Sequence, residues 1–562
     1  MKTEPDRASR AKSRRWIPGI NSVALTAILA LSAALRLWHV DFGLPALNDP
    51  DEPLFVMTAL DMLREQRLNP QWFGHPATIL FYALAAIFIA VGWLGVLFGR
   101  WADTAHYVSA IYADPSIAIL PMRVFIVLMG VVCVYLTYRI GRQAISVRAG
   151  LIAAAVVAVN NIHVELSQVI RTDMVASIFM LGSCLYAIRA AQGGKLHHYI
   201  LMGVMIGLGG ATKWPSLLFM ANAPGAVLNR WRQQSWVLAF ALLAIVAASA
   251  LVALFLASPY LLLDQATVLR DLSGEARPNH PGSTGGPLFH NILWYGRHVL
   301  FAGFGPAGTI LALAGLVLMP FRAGALALAG LPGALLFLLG IGAQALVWDR
   351  WAVPLIPWIA LAIALALNEA ISRIKAAWSI AALAATLSAL LLPMAQSSLS
   401  RSHMRANDTR QLASLWIRTH VPATRSVLIE DAAFDLVARP GPVIFPLGDA
   451  GCLDAHGFLQ AKPSYKKVEK KREGKSIVDV GHVAPGMIAS CSADIAVITH
   501  YDRYLHEKTA YPDEISQYEK LLQHGKIMAI FRPEQGRIGG PVTRIYRFHH
   551  AAGSGHVARP TK

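Results

Sequence analysis

Three acidic side chains lie within four positions of one short segment, DFGLPALNDPDEPLF, which follows an apolar stretch at 16–40. They are Asp49, Asp51 and Glu52. Like charges beside an apolar segment repel each other and are costly to desolvate, so a cation, a shared proton or a substrate is needed to stabilise them. Acids and proline also favour the first turn of a helix, and Asp51 and Glu52 before Pro53 fit that simpler role. The residues alone leave both interpretations open.

A further acid opens a later apolar segment, in HVELSQVIRTDMVASIF. Asp173 directly precedes the apolar run that begins at Met174, and Arg171 lies two residues before it. Asp is a preferred capping residue at helix N-termini, so Asp173 has a structural explanation as well. If both apolar segments end at the same surface, Asp173 and the loop acids can instead share one site there.

Cationic and histidine side chains accompany these acids near the ends of other apolar segments. They are His75, Lys213, His280, His290, Arg297 and Arg350. Each alone is more simply a snorkelling or structural residue. Together they suit a phosphate, because Arg binds phosphate through two donors and Lys binds it as a point charge. The residues Asp49, Glu52, His75, Arg171, Lys213, His280 and Arg350 are therefore our candidate substrate-binding residues.

The sequence carries no signature of a soluble nucleotide or hydride cofactor. It contains no Walker A loop, no GxGxxG after a strand, no HExxH and no GxSxG. A divalent cation is the one cofactor that the residues could hold, with oxygen and nitrogen ligands. The candidate metal ligands are Asp51, Glu52, Asp173 and His280.

The elements that must position these residues are membrane spans. Of the 562 residues, 55% are hydrophobic and 15% are charged, against about 25% charged in soluble domains. The apolar residues form blocks near the length that crosses about 30 Å of hydrocarbon. This composition excludes a disordered chain, a disulfide scaffold and an ordinary cytosolic enzyme. The net charge of +17 reflects cations that flank spans and face lipid headgroups, and no aromatic-interleaved basic groove predicts a nucleic-acid partner.

The charges also predict how the chain crosses the membrane. The basic tail at 1–15 is expected in the cytoplasm. A transmembrane domain at 16–393 is expected to make about 11 crossings, with further segments lying at the outer face. The expected spans are 16–40, 119–139, 149–164, 174–191, 199–212, 214–228, 236–257, 305–319, 324–346, 352–367 and 376–393. The segments 54–66, 77–98 and 101–112 are expected as outer-face helices, because a crossing at 77–98 would place the later loop cations outside.

The last part of the chain, 394–562, reads as a small α/β domain outside the membrane. Short buried strands are predicted at 427–431, 442–447, 493–499 and 527–531, and a helix at 408–422. Cys452 and Cys491 lie in this domain. An oxidising compartment would permit a disulfide between them, but their spacing does not decide the matter.

The order of the motifs resembles that of a known enzyme class. The acidic DPDEP loop is followed by WFGHPATILFYALA, SQVIRTD, GGATKWPSLLF, SPYLLLD and DRWAVPLIPW. Over about 35–395 this order resembles the GT-C class of membrane glycosyltransferases that use polyprenyl-phosphate sugars. Within that class it is most similar to the protein O-mannosyltransferase-like and lipid A aminoarabinose transferase-like enzymes. The resemblance implies a mainly α, GT-C-like fold with a small C-terminal α/β domain.

The resemblance also assigns roles to residues. It implies that Asp51 is catalytic, with Glu52 completing the acidic pair, and that Asp173 is a second acid of the site. In the aminoarabinose branch a lysine before proline contacts the lipid phosphate, and here His75 stands at that position. A protonated His75 could still bind the phosphate. The acid that precedes this lysine in the branch's proposed metal site is replaced by Gly74.

We therefore expect a glycosyltransferase of the cytoplasmic membrane that moves a sugar from polyprenyl phosphate to an acceptor hydroxyl on the outer face, with inversion. The acceptor could be a glycolipid, a polysaccharide or a protein. Asp51 is expected to act as general base and Asp173 to orient the acceptor or a cation, while Arg350, Lys213 or His75 neutralises the departing phosphate. The alternative is a lipid or solute transporter, which only the glycine-rich break at 207–215 favours.

Overall fold

The computed structural model describes residues 19–229, 235–275, 279–430, 433–459 and 479–548. The basic tail predicted at 1–15 lies outside these residues. Within them the chain is mainly helical as far as Ala406 and continues as a smaller α/β domain. The predicted fold class, a mainly α polytopic membrane protein with a small C-terminal α/β domain, is confirmed.

Among the described residues, the apolar part contains nineteen α-helices, whose longer connections include 38–51 and 65–77. They are α1 (Ile20–Leu37), α2 (Glu52–Arg64), α3 (Thr78–Leu97), α4 (Thr104–Ala113), α5 (Ser116–Ala144), α6 (Val147–Val159), α7 (Asn161–Leu166), α8 (Thr172–Gly193), α9 (Leu196–Thr212), α10 (Asn222–Leu228), α11 (Trp236–Ala257), α12 (Tyr260–Leu263), α13 (Gln265–Glu275), α14 (Leu288–Tyr295), α15 (Ala302–Arg322), α16 (Gly324–Ala329), α17 (Leu331–Gly342), α18 (Ile356–Ser372) and α19 (Ala376–Ala406). Helices of 3-10 type at Trp214–Ala221 and Asp349–Leu355 precede α10 and α18, and a π-helical turn at Gly296–Phe301 joins α14 to α15.

Among the described residues, eight helical stretches are long and apolar enough to cross a membrane. Seven of them overlap spans predicted from the sequence, and the eighth is α3. The other predicted spans fall short of 18 residues: 149–164 ends as α6 at Val159, and 324–346 divides into α16 and α17. Because α3 meets the same criterion of length and composition, the assignment of 77–98 to the outer face stays a prediction.

The helices of the core approach each other closely where glycine removes the side chain. In α9, a Cβ added at Gly207 would lie 2.1 Å from the carbonyl oxygen of Ala250 in α11, so only glycine fits there. Small residues at such crossings permit tight helix packing within a membrane. Gly207, in the glycine-rich break at 207–215, therefore lets α9 pack against α11, and α9 ends at Thr212, directly before Lys213.

The acids and the predicted cytoplasmic cations lie at opposite ends of the bundle. Arg123, near the start of α5, binds Glu52, whereas Arg142 lies in the last turn of the same helix. Arg142 follows Arg123 by 19 positions, which corresponds to about 28 Å of helix, close to the thickness of the hydrocarbon core. We call the end that carries Glu52 the site end.

The C-terminal domain is built on a mixed sheet packed by helices. It contains α20 (Thr409–His420), α21 (Ala455–Leu459), α22 (Tyr501–His506), α23 (Pro512–Leu522) and the strands β1 (Val427–Leu428), β2 (Val443–Pro446), β3 (Cys452–Asp454), β4 (Ile495–Ile498), β5 (Gly525–Phe531) and β6 (Thr543–Phe548). The strand order is β3-β2-β1-β4-β6-β5, with β1 parallel to β2 and β4 and the other pairs antiparallel. The four predicted strands and the helix at 408–422 are present, and a disulfide joins Cys452 to Cys491.

Candidate functional site

The first loop uses Asp49 to begin α2. One carboxylate oxygen of Asp49 accepts hydrogen bonds from the backbone N–H of Asp51 at 3.0 Å and of Glu52 at 3.2 Å. This satisfies donors that a helix leaves unpaired at its N-terminus. Asp49 also pairs with Arg171 at 2.9 Å. Helix capping therefore explains Asp49, and it leaves the carboxylate of Asp51 available for another role.

Asp51 lies between two arginines that come from distant parts of the chain. Its carboxylate is 2.8 Å from Arg171, which directly precedes α8, and it also pairs with Arg350 in the 3-10 helix before α18. The side chain of Asp51 is 40% exposed, whereas those of Asp49, Glu52 and Asp173 are 13%, 0% and 5% exposed. Of these four predicted site acids, Asp51 is the most accessible to a substrate.

Glu52 has a structural position beneath the site. Arg123 donates to both of its carboxylate oxygens, at 2.8 and 2.6 Å, and the backbone N–H of Ile170 donates to it at 3.0 Å. Arg123 also donates to the carbonyls of Val40 and Phe42, in the turns that follow α1. Glu52 thus ties the first loop to α5 and to the segment before α8. Glu52 is 0% exposed, so its role in substrate binding stays a prediction that this arrangement does not favour.

Asp173 pairs with Lys213, which follows α9, and both side chains are nearly buried. No capping bond from Asp173 is formed at the start of α8, so the capping interpretation does not account for its carboxylate. His75 lies beside this pair, with its Nδ1 3.3 Å from the hydroxyl of Thr172. Burial, and secondarily the charge of Lys213, lower the pKa of His75 to about 4. His75 is therefore neutral near pH 7 in the site without a phosphate, and its contact with a phosphate stays a prediction.

His280 is separated from the acids. Its ring packs edge-on against Trp348 with centroids 4.8 Å apart, and Trp348 in turn lies under the Arg350 guanidinium, 4.5 Å away. His280 therefore borders the site through Trp348 and Arg350.

The predicted metal ligands do not come together. In the part of the chain that the structure describes, no three His, Cys, Asp or Glu side chains form a group that could hold a metal ion. Asp51, Glu52 and Asp173 are each paired with an arginine or a lysine. A divalent site formed by Asp51, Glu52, Asp173 and His280 stays a prediction, and the proposed reaction uses no metal.

A cavity of about 220 Å³ adjoins the acids on the side of the C-terminal domain. Asp49, Arg171 and Arg350 form its inner wall, and Arg405 at the end of α19 and Arg410 in α20 form its outer wall. Arg410 donates to the carbonyl of Asn48 at 2.6 Å, so the C-terminal domain contacts the first loop directly. Sequence reasoning did not find Asn48, Arg405 and Arg410, because nothing in their local pattern shows that the domain closes over the loop.

The structure can be compared with solved proteins. It resembles the apo oligosaccharyltransferase of Archaeoglobus fulgidus with a TM-score of 0.51 and 13% identity, covering 92% of this chain and 73% of that one. It also resembles ArnT from Cupriavidus metallidurans bound to undecaprenyl phosphate, with a TM-score of 0.50 and 12% identity, covering 93% of this chain and 97% of that one. The chain has the fold of the GT-C membrane glycosyltransferases. The resemblance stated from the motifs is confirmed.

In sequence, a family model matches the middle of the chain. The family model for dolichyl-phosphate-mannose-protein mannosyltransferase matches residues 109–262, and no curated protein matches the sequence. The matched range includes Arg171, Asp173 and Lys213, whereas Asp51 and Arg350 lie outside it. The GT-C fold brings these two groups of residues together at the site end of the bundle.

Proposed function

We propose that the protein is a glycosyltransferase that moves a sugar from a polyprenyl-phosphate donor to an acceptor hydroxyl at the outer surface of the cytoplasmic membrane. The observation that carries the proposal is the position of Asp51, an accessible carboxylate between two arginines at the site end of a membrane-helix bundle. The GT-C fold supports it, because structures of this fold include ArnT with undecaprenyl phosphate and the archaeal AglB with a dolichol-phosphate.

The reaction forms one bond and breaks one bond at the anomeric carbon. The acceptor oxygen attacks that carbon, the bond to the phosphate oxygen breaks, and polyprenyl phosphate leaves with the electron pair. Asp51 takes the proton of the acceptor hydroxyl, which is general base catalysis. Attack in line with the departing phosphate inverts the configuration of the sugar.

The cations of the site act on the developing phosphate charge. Arg350 and Arg171 lie beside Asp51, and Lys213 is held by Asp173. Fixed cations in a site that excludes water stabilise a leaving anion without further reorganisation. Asp173 serves as a positioning residue for Lys213, and the neutral His75 contributes a hydrogen bond and no charge.

The test compares Asp51→Asn with Asp41→Asn in isolated membranes. Asp41 is an exposed acid of the same loop, outside the contacts described above. The membranes receive undecaprenyl-phosphate-linked radiolabelled hexoses and pentoses one at a time, with their own lipids and proteins as acceptors. We expect turnover by the wild type and by Asp41→Asn, and a loss of roughly 10²–10⁴-fold for Asp51→Asn.

Two results contradict the proposal. Wild-type turnover by a correctly inserted Asp51→Asn variant removes Asp51 from the chemistry. If no donor yields a glycosylated product, while label accumulates in sealed vesicles, the protein transports the lipid or its sugar.

A further inference from the structure

The cavity beside Asp51 has walls from both domains. Besides the arginines and Asp49 named above, it is lined by Asn48, Glu165, Trp348, Asp349 and Asp408. Its volume of about 220 Å³ is below the roughly 300–1,000 Å³ of sites for drug-sized ligands, so it suits a single small ring. Asp51 does not line the cavity itself, but Arg171 and Arg350 line it and both pair with Asp51.

The formal charges of the wall cancel. Four arginines line the cavity, and so do four carboxylates, including Glu165, Asp349 and Asp408. Several of these groups are already paired, as in the bond from Arg410 to Asp408 at 2.8 Å and the bond from Arg401 to Glu165 at 3.0 Å. A wall with this balance offers both donors and acceptors and no net attraction for an anion.

Three side chains of the wall carry polar atoms without a partner among the described residues. The amide nitrogen and oxygen of Asn48 are both buried and unpaired, and so are the Nε atoms of Arg171 and Arg405. Buried polar groups are almost always hydrogen-bonded, so such atoms indicate a ligand or ordered water. Asn48 is 3% exposed and packs closely against Gly43. A Cβ added at Gly43 would lie 2.7 Å from the Cβ of Asn48, so the loop holds Asn48 in place.

The missing partner must both donate and accept hydrogen bonds. The amide oxygen of Asn48 needs a donor, whereas its nitrogen and the two guanidinium Nε groups need acceptors. A hydroxyl can do both. A fully ionised phosphate only accepts, so it would leave the Asn48 oxygen unpaired and would face four carboxylates.

We propose that this cavity is the acceptor subsite and that it binds an uncharged, hydroxyl-bearing sugar ring. This inference rests on the proposed function and specifies the acceptor as a glycan or glycolipid that presents a neutral sugar. A ring bound there lies against Arg171 and Arg350, so one of its hydroxyls is next to Asp51, the base. Lys213 is not among the residues that line the cavity, so it is left for the donor phosphate.

The experiment measures binding to the purified full chain in detergent micelles by saturation-transfer NMR. The neutral probes are the methyl glycosides of mannose, glucose, galactose and arabinose, and the anionic probe is inorganic phosphate, followed by its phosphorus line width. We expect at least one glycoside to bind and phosphate not to displace it. Asn48→Ala removes two hydrogen bonds, which corresponds to an affinity loss of roughly 30-fold.

Two variants serve as controls. Asn407→Ala removes an exposed amide that lies near the same junction but not in the cavity wall, so the affinity for the glycoside should stay unchanged. Asp41→Asn removes an exposed acid of the first loop that is also outside the cavity wall, so it should keep glycoside binding as well. Each variant is compared with the wild type by its elution profile and thermal unfolding midpoint.

The outcomes separate this inference from the proposed function. Failure of every glycoside to bind, displacement of a bound glycoside by phosphate, or unchanged binding in a folded Asn48→Ala variant overturns the acceptor subsite. Glycoside binding that depends on Asn48, without consumption of any polyprenyl-phosphate sugar, contradicts the proposed function and leaves the sugar site in place. If the donor is consumed but no glycoside binds, the acceptor subsite is wrong and the proposed function stands.

Discussion

Replacing Glu52 with glutamine tests whether this acid positions the site or takes part in the chemistry. The carboxylate is fully buried and receives three hydrogen bonds, two from Arg123 and one from the backbone of Ile170. Glutamine keeps the size and shape of the side chain but removes the charge. The guanidinium of Arg123 then stays buried without its counter-charge.

The expected cost follows from that burial. Removing one partner of a buried ion pair typically destabilises a protein by about 3–5 kcal/mol, because the other charge stays desolvated. Glu65, near the end of α2, pairs with Arg67 at 2.9 Å but its side chain is 42% exposed. Exposed pairs contribute about 0–1 kcal/mol, so Glu65→Gln is the matched control and should change little.

The assay follows thermal unfolding of the purified variants and donor turnover at low temperature, normalised to folded protein. We expect Glu52→Gln to lower the unfolding midpoint clearly and Glu65→Gln to leave it unchanged. In Arg123→Met, the Glu52 carboxylate stays buried without a counter-charge. Adding Glu52→Gln removes that charge, so the double variant should regain part of the stability and the two changes should be non-additive. A Glu52→Gln variant as stable as the wild type, with turnover lost, would refute the positioning role and return Glu52 to the reaction.

Three further predictions concern other parts of the chain. His75→Gln should retain turnover at pH 7 and leave the pH profile of turnover unchanged between pH 5 and 7. Because the lowered pKa of His75 destabilises the folded protein only as pH falls below about 6.5, the variant should also lose less stability than the wild type below that pH. Arg100→Cys, just after α3, should react with an impermeant maleimide added to intact cells, whereas Arg142→Cys should not. Labelling of Arg142→Cys and not of Arg100→Cys would show that α3 crosses the membrane. Cys452→Ser opens a bridge across 39 residues, which should destabilise the C-terminal domain by about 4 kcal/mol in a denaturant titration, whereas an unchanged midpoint would rule out that contribution.

The sequence predicted the architecture well because hydrophobic length and charge are local signals. The apolar blocks, the α/β character of the C-terminal domain and the order of the motifs could all be found from residues close together in the chain. The number of spans was harder to predict, because breaks at Asn160 and Gly330 shorten helices that look continuous in composition. Hydropathy alone also does not tell whether α3 crosses the membrane or lies on it.

The roles of the individual acids could not be predicted from their spacing. Asp49, Asp51 and Glu52 are nearly adjacent, yet one begins a helix, one pairs with two arginines and one is buried against α5. The partners that decide these roles, Arg123 and Arg350, are 71 and 299 residues away in the chain. No local pattern marks such partners, and only the folded chain brings them to the acids.

The placement of Asp51 couples the two halves of the proposed reaction. Before attack, its negative charge balances Arg171 and Arg350, so the two guanidinium groups attract little additional anion. When Asp51 accepts the proton of the acceptor hydroxyl, that balance is lost at the moment when charge develops on the departing phosphate. The two cations are then free to stabilise the phosphate, in a site where charges interact more strongly than in water. Proton transfer from the acceptor and departure of the lipid phosphate therefore favour each other, which an isolated carboxylate without the arginines could not achieve.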